Sequence, residues 1–223
     1  MWYSAIPQNV SSLRWLSDGN YLGVGLYDPG RISFIDSGGN IVTDFGWHSV
    51  MSGSTGQPED VTSVATIHRP NSGTVDQWMA SGGKDGSIEI WSIDQTNFDI
   101  VPIRRFGPHT VREIAVDSIL DLVGIAESSG TITIRSGQNG SMVSQCFHPE
   151  FGQYKYDIPN VKSVAWGPGW VAGGFSDGMV IGCDLQSKWA WQFDLRSQRT
   201  VGSFGRVAVH PQGQYIAVAW SEH

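Results

Sequence analysis

The stretches DVTSVATIHRP (residues 60–70) and WMASGGKDGSIEIWSID (residues 78–94) contain three short runs of β-branched and small apolar residues. Runs of this length, bounded by turn residues, are typical of antiparallel strands. The turn KDGS, with Gly86 at its third position, joins the second and third runs. This part of the chain therefore predicts a β meander and not a helix.

The same pattern recurs along the 223-residue chain. Glycine turns equivalent to KDGS occur about every 50 residues, in DPGR, SSGT and SDGM. Upstream of the turns lies a strand in common register, seen as VSSLRW, VTSVAT, VREIAV, VKSVAW and FGRVAV. A fourth, outer strand closes each complete repeat. Four strands per repeat are typical of propeller blades, so the sequence predicts an all-β protein, a β-propeller of about four and a half four-stranded blades.

These repeats resemble the WD-repeat family of β-propellers. The best match is the blade predicted for residues 58–107, where Ser81, Asp85 and Trp91 occupy positions of the family's internal hydrogen-bond network. WS replaces the usual WD, and the only histidine assigned to the family's histidine position is His109, whose own blade lacks the Asp and the Trp. The resemblance implies a propeller in which packing carries more of the rigidity than this network does.

The predicted blades span residues 8–47, 58–107, 109–148 and 158–195, and an incomplete blade spans residues 200–223. Residues 1–7 are a candidate closing outer strand. Aligning VAGGFSDGM with IAVAWSEH puts Glu222 and His223 at the glycine turn of the last blade. We therefore expect residues 1–223 to need further blades, from the same chain or from a partner. The family resemblance implies a ring of seven.

The resemblance also implies a non-catalytic scaffold for protein–protein interaction. In this family, partners dock on the face formed by the loops that enter the inner strand and join the second and third strands. Arg112 and Lys162 share one register on neighbouring blades, so they can either clasp an acidic peptide or act as solvated rim residues. Six residues are predicted on this face: Glu59, Asp60, Asp85, Arg112, Lys162 and Asp177.

Two long segments between blades are predicted loops. Residues 46–60 are rich in Ser and Gly. Residues 148–160 carry Tyr154 and Tyr156 on either side of Lys155, and tyrosine-rich loops favour binding. The second loop is therefore the first candidate for partner specificity.

Composition limits the other partners. The net charge is −7, from 21 acidic and 14 basic residues, which argues against direct nucleic-acid binding. No apolar stretch approaches the roughly 20 residues of a membrane span, and the first residues do not resemble a secretion signal. We expect an intracellular protein, cytoplasmic or nuclear. Cys146 and Cys183 are predicted to be buried free thiols in a reducing compartment, with a disulfide as the alternative.

No catalytic, cofactor or metal site is predicted. The GFSDG run at residues 174–178 matches a serine-nucleophile pattern, but it falls on a strand-to-strand turn and not on a strand-to-helix turn. The SGGKDGS run lacks the Lys-Ser/Thr pair of a phosphate loop. The histidines have no metal-ligand spacing, and the HP pairs at His148 and His210 indicate turn entries. Asp28, Asp85 and Asp177 are predicted to cap turns.

The ten tryptophans leave an alternative function open. Most are predicted to pack between blades, but Trp47, Trp189 and Trp191 lie in outer strands, where an exposed pair would suit a partner or a sugar. The alternative to a protein scaffold is therefore a carbohydrate-binding, lectin-like propeller. An enzyme with a funnel site is a third hypothesis, and it requires clustered acids or histidines that the inner strands do not supply.

Overall fold

A computed structural model describes eleven stretches of the chain. They are residues 9–16, 19–27, 30–45, 48–49, 58–67, 77–94, 99–106, 109–117, 119–151, 158–198 and 203–221. These residues form strands, turns and one 3₁₀ helix, Arg196–Gln198. The predicted all-β fold class is confirmed.

The described strands form four four-stranded antiparallel sheets, which we call blades one to four, and two two-stranded sheets. Blade one contains β1 (Val10–Trp15), β2 (Tyr21–Leu26), β3 (Ile32–Asp36) and β4 (Ile41–Phe45). The short strands β5 (His48–Ser49) and β6 (Pro58–Glu59) pair with each other. Blade two contains β7 (Val61–Ile67), β8 (Gln77–Gly83), β9 (Ile88–Asp94) and β10 (Asp99–Phe106).

Blade three contains β11 (Val111–Asp117), β12 (Leu122–Glu127), β13 (Thr131–Ser136) and β14 (Met142–Phe147). Blade four contains β15 (Val161–Gly167), β16 (Trp170–Phe175), β17 (Met179–Asp184) and β18 (Trp189–Asp194). The terminal hairpin contains β19 (Ser203–Val209) and β20 (Ile216–Ser221). Each blade is a meander in which consecutive strands pair.

The chain divides into two compact units. Unit one covers residues 1–111 and 118–120, and unit two covers residues 112–117 and 121–223. In unit one, a core cluster that includes Phe34, Val64 and Met79 joins side chains of blades one and two. In unit two, a cluster that includes Ile132, Val164 and Ile181 joins blades three and four. Apolar side chains between neighbouring sheets therefore form the cores of both units.

Small residues let neighbouring sheets approach closely. A Cβ on Gly173 of β16 would lie 2.1 Å from the side chain of Ile132 in β13, a distance that no packed side chain tolerates. The turn glycines serve a different purpose. Gly86, Gly130 and Gly178 have φ values of +84°, +78° and +101°, in the left-handed region that favours glycine. The predicted turn positions of these three glycines are confirmed.

The cysteine prediction is wrong. Cys146 of β14 and Cys183 of β17, which are 37 positions apart in the sequence, form a disulfide. Both are buried, as predicted, but they face each other because the outer strand of blade three packs against the third strand of blade four. The cysteines therefore no longer indicate a reducing compartment, because stable disulfides are typical of oxidising compartments. The intracellular location stays a prediction.

The disulfide yields a stability prediction. Replacing both residues (Cys146→Ser with Cys183→Ser) should lower the free energy of unfolding by about 3–4 kcal/mol, because the bond restricts the unfolded chain. Urea unfolding of the oxidised protein, the reduced protein and the double variant measures this change. In denaturant without reductant, a thiol reagent should find no reactive cysteine. Two reactive cysteines in protein purified without reductant would contradict the bond.

Candidate functional site

The inner strands of unit two are joined by hydrogen bonds from backbone to side chain. The N–H of Val164 in β15 donates to the carboxylate of Glu113 in β11, over 3.1 Å. The N–H of Val207 in β19 donates to the hydroxyl of Ser163 in β15, over 3.0 Å. In the common register that begins at Val111, Val161 and Phe204, both acceptors occupy the third position and both donors occupy the fourth. One register position therefore links each of these inner strands to the next.

Glu113 carries a second link. Its carboxylate forms a salt bridge with the guanidinium of Arg206, which occupies the third position of the same register in β19. Glu113 is buried, whereas Arg206 is exposed. A buried charge is costly unless it is paired and hydrogen-bonded, and here the Val164 N–H and the Arg206 guanidinium supply both partners. The inner strands of blade three, blade four and the terminal hairpin thus meet at one carboxylate.

In β7 and β15 the second position of the strand lies at a β-bulge. The ladder between β15 and β16 skips Lys162, and the ladder between β7 and β8 skips Thr62. Bulges redirect a side chain out of the regular alternation. Arg112, at the second position of β11, is exposed, and Lys162 is half-buried. The shared register of Arg112 and Lys162 therefore places both on neighbouring inner strands of unit two.

A buried histidine lies at the turn of blade four. Nε2 of His148 is 3.0 Å from Oδ2 of Asp177, which lies in the turn between β16 and β17. The N–H of Met179 donates to Oδ1 of the same carboxylate, over 3.1 Å. Burial by itself raises the pKa of Asp177, but the hydrogen bonds from His148 and Met179 outweigh it, so this pKa is lowered. The predicted turn-capping role of Asp177 is confirmed.

Arg196 extends this cluster toward solvent. Its guanidinium lies 2.9 Å from Oε1 of Glu150 and 2.7 Å from Oδ2 of Asp194, and 3.9 Å from Asp177. The side-chain hydrogen bond from Arg196 lowers the pKa of Asp194 to about 2. The same contacts raise the pKa of Arg196. One cation therefore ties the segment after β14 to the end of β18 and to the turn of blade four.

The structure gives His148 a role that the sequence does not predict. The sequence predicts only a turn entry at His148 and places the family's histidine at His109 alone. The turn is present, because the N–H of Glu150 donates to Nδ1 of His148 over 3.1 Å, but the buried ring also pairs with Asp177. Like His109, His148 follows an outer strand and precedes an inner one. The intervening residues 149–160 made this equivalence hard to see.

Blades two and three contain different polar contacts. In blade two, Nε1 of Trp91 donates to Oγ of Ser81 over 2.8 Å, within the core. The N–H of Ser87 donates to Asp85 over 2.9 Å, which confirms the predicted capping of that turn. In blade three, Thr133 donates to the buried carboxylate of Glu127 over 2.9 Å. Each blade is thus stabilised by its own polar pair.

The predicted docking residues are divided between the two units. In unit one, the N–H of Lys84 donates to the carbonyl of Asp60 over 2.9 Å, and its Nζ lies 3.7 Å from the Asp60 carboxylate. Asp85 follows Lys84 directly, so Asp60 and Asp85 come together. Unit two holds Arg112, Lys162 and Asp177. Partner binding by any of these residues stays a prediction.

Glu59 and the tyrosines of the second predicted loop are the remaining candidate residues. The backbone of Glu59 pairs with His48 in the two-residue ladder of β5 and β6, so the described ends of the predicted loop 46–60 are strands. The predictions for four residues lie outside the described part of the chain: Asp28, Trp47, Tyr154 and Tyr156. Binding by Tyr154 and Tyr156 therefore stays a prediction.

The outer-strand tryptophans of blade four differ in burial. Trp189 is exposed. Trp191 is half-buried and packs edge-to-face on Trp170, with ring centroids 4.9 Å apart. The equivalent strand of blade three, β14, has no tryptophan. The aromatic residues of the outer strands therefore differ from blade to blade.

Comparison with known proteins gives a partial match. No family model matches the chain. A curated protein of Dictyostelium discoideum, described as anaphase-promoting complex subunit cdc20, is 30% identical over 140 residues. The match covers 48% of this chain and 27% of that protein. The matched part is therefore about a quarter of the relative's length.

The described residues were predicted to contain neither a metal site nor a membrane span. Among the described residues, no group of three or more His, Cys, Asp or Glu side chains is arranged to hold a metal ion. The described part of the chain also contains no helix with the length and apolar character that a membrane crossing requires.

The His148–Asp177 contact yields a second prediction. His148→Ala should lower the free energy of unfolding by about 1–3 kcal/mol, because it removes the hydrogen bond to Oδ2 of the half-buried Asp177 carboxylate and leaves only the Met179 N–H on Oδ1. His210→Ala is the matched control: His210 also precedes a proline and its Nδ1 also accepts a turn N–H, but it is exposed. Urea unfolding compares the two variants. In His148→Ala the NMR titration of Asp177 should shift to higher pH; equal stability losses and an unshifted Asp177 would contradict this role.

Proposed function

We propose that this chain is a non-catalytic protein-interaction scaffold of the WD-repeat type that acts within a multiprotein assembly. The observation that carries the proposal is the repeated hydrogen bond between neighbouring inner strands of unit two, which fixes adjacent sheets against one another while the loops between strands differ in sequence. Rigid scaffolds with variable loops commonly serve as binding platforms. The relative named as a subunit of the anaphase-promoting complex supports an assembly of proteins as the setting.

Further blades belong to the proposal. At the fourth position of the common register of the inner strands, Val64, Val164 and Val207 are at most 6% exposed, whereas Leu13 of β1 is 46% exposed. Trp15, two residues further along β1, is also exposed. Val64, Val164 and Val207 each share a core cluster with side chains of the preceding blade. We therefore propose that another blade packs against β1 in a seven-bladed ring. The same protein or a partner supplies the further blades.

Arg112 and Lys162 are the proposed contacts to a partner. They lie on neighbouring inner strands of unit two, and the hydrogen bond from Val164 to Glu113 holds these strands side by side. Two cations in a chain of net charge −7 form a local site for an acidic segment. Tyr154 and Tyr156 are proposed to extend the contact, and the proposed partners are proteins and not nucleic acid.

A capture experiment tests the proposed contacts. The paired change Arg112→Glu with Lys162→Glu should lower retention of specific protein partners by about tenfold or more, because it places like charges against an acidic segment. Quantitative mass spectrometry of proteins bound to the immobilised chain measures retention. The control is Arg14→Glu with Lys188→Glu. It makes the same change in net charge at two exposed positions outside the proposed contact.

Two outcomes would contradict the proposal. Equal capture by the two double variants would remove Arg112 and Lys162 from the interface. Saturable binding to a glycan array that Trp189→Ala abolishes, without specific protein capture, would instead support the carbohydrate-binding alternative. Thermal unfolding of every variant shows whether lost capture reflects lost structure.

A further inference from the structure

An apolar groove lies between blade four and the terminal hairpin, within unit two. Its volume is about 440 Å³. Trp191 stands in its wall, edge-to-face with Trp170 and 5.3 Å in centroid distance from Phe193. We call it the Trp191 groove. Blade four lines it with Trp170, Val180, Trp191 and Phe193, and the terminal hairpin lines it with Tyr215 and Ile216.

The repeat identifies the equivalent place one blade earlier. Counted from the turn glycines Gly130 and Gly178, Ile132 and Val180 occupy the same position of the third strand. Ile132 pairs with Cys146, and Val180 pairs with Phe193. Phe193 in β18 is therefore equivalent to Cys146 in β14. By the same pairing, Trp191 is equivalent to Ser144.

At the earlier place, a strand covers these positions. Cys146 is bonded to Cys183 of β17, and the hydroxyl of Ser144 donates to the carbonyl of Asp184 over 2.6 Å. Cys146 is 2% exposed as a result. Its equivalent Phe193 is 51% exposed. Cys146 is buried because β17, the third strand of the next blade, covers it, and no described strand covers Phe193 in the same way.

The edge of β20 points to the same occupant. Its equivalents β12 and β16 pair with a strand on each side, whereas β20 pairs with β19 and with no other described strand. An unpaired edge presents a row of backbone N–H and C=O groups to an incoming strand. A small apolar ligand would fill the groove and leave that row unpaired. A strand satisfies both.

We propose that the Trp191 groove takes the third strand of the blade that β19 and β20 begin. The occupant is an extended segment that pairs with the edge of β20 and packs alternate aliphatic side chains against Trp191 and Phe193. The inference rests on the proposed blade scaffold and adds to it the place and the chemistry of a strand contact. It makes no use of Arg112 or Lys162, so the two proposals fail separately.

A peptide-binding experiment tests this site on the 223-residue chain. The probe is a fluorescein-labelled peptide with the third-strand sequence of blade three, SSGTITIRSG (residues 128–137). Fluorescence anisotropy should show saturable binding, and a scrambled peptide should not bind. Two further versions carry N-methyl groups on alternate sets of backbone nitrogens. Only the set that faces β20 should weaken binding, by about tenfold or more, because strand pairing uses every second N–H.

Variants of the groove complete the test. Phe193→Ala should weaken binding about tenfold or more, whereas Trp189→Ala, an exposed position on the same strand outside the groove, should leave it unchanged. Tyr215→Ala, in the groove and 73% exposed, is the second variant should Phe193→Ala unfold. The proposal is overturned by absence of peptide binding, by equal binding of both N-methylated versions, or by equal effects of Phe193→Ala and Trp189→Ala. A dimer that Phe193→Ala dissociates would also overturn it, since the occupant would then be a second copy.

Discussion

The hydrogen bond from the backbone of one inner strand to a side chain of the preceding one is the interaction on which the rest of the architecture depends. Val164 donates to Glu113, and Val207 donates to Ser163. Each bond satisfies a buried N–H of an inner strand, and each of these inner strands pairs with another strand of its own sheet on one side only. It also sets the height at which adjacent sheets stack, and so decides which apolar side chains meet between them.

This constraint explains how the repeats can differ so much in sequence. Different polar contacts then stabilise the second and third strands of the blades or the turn between these strands. Blade two has Trp91 with Ser81, blade three has Thr133 with Glu127, and blade four has His148 with Asp177. The disulfide between Cys146 and Cys183 adds a covalent link between the outer strand of blade three and the third strand of blade four. Different chemistries therefore stabilise one repeated geometry.

The sequence was sufficient for the fold class and the strand pattern, because alternation and turn glycines such as Gly178 are local features. It was insufficient for contacts between blades, because these depend on how two sheets stack. The Cys146–Cys183 bond and the His148–Asp177 pair both join residues about 30 to 40 positions apart. The acceptor role of Glu113 and the bulge at Lys162 likewise have no local sequence pattern. Register across the repeats is the information that could have located them.

Amide hydrogen exchange at Val207, followed by NMR, tests the central claim most directly. In the wild-type chain this amide should be strongly protected, because its N–H is bonded to Ser163. Ser163→Ala should accelerate its exchange by about tenfold, the equivalent of one lost hydrogen bond, and should leave the amide of Val164 unchanged, since that amide is bonded to Glu113. Exchange at Val207 that is fast in the wild type, or that Ser163→Ala does not alter, would contradict the account.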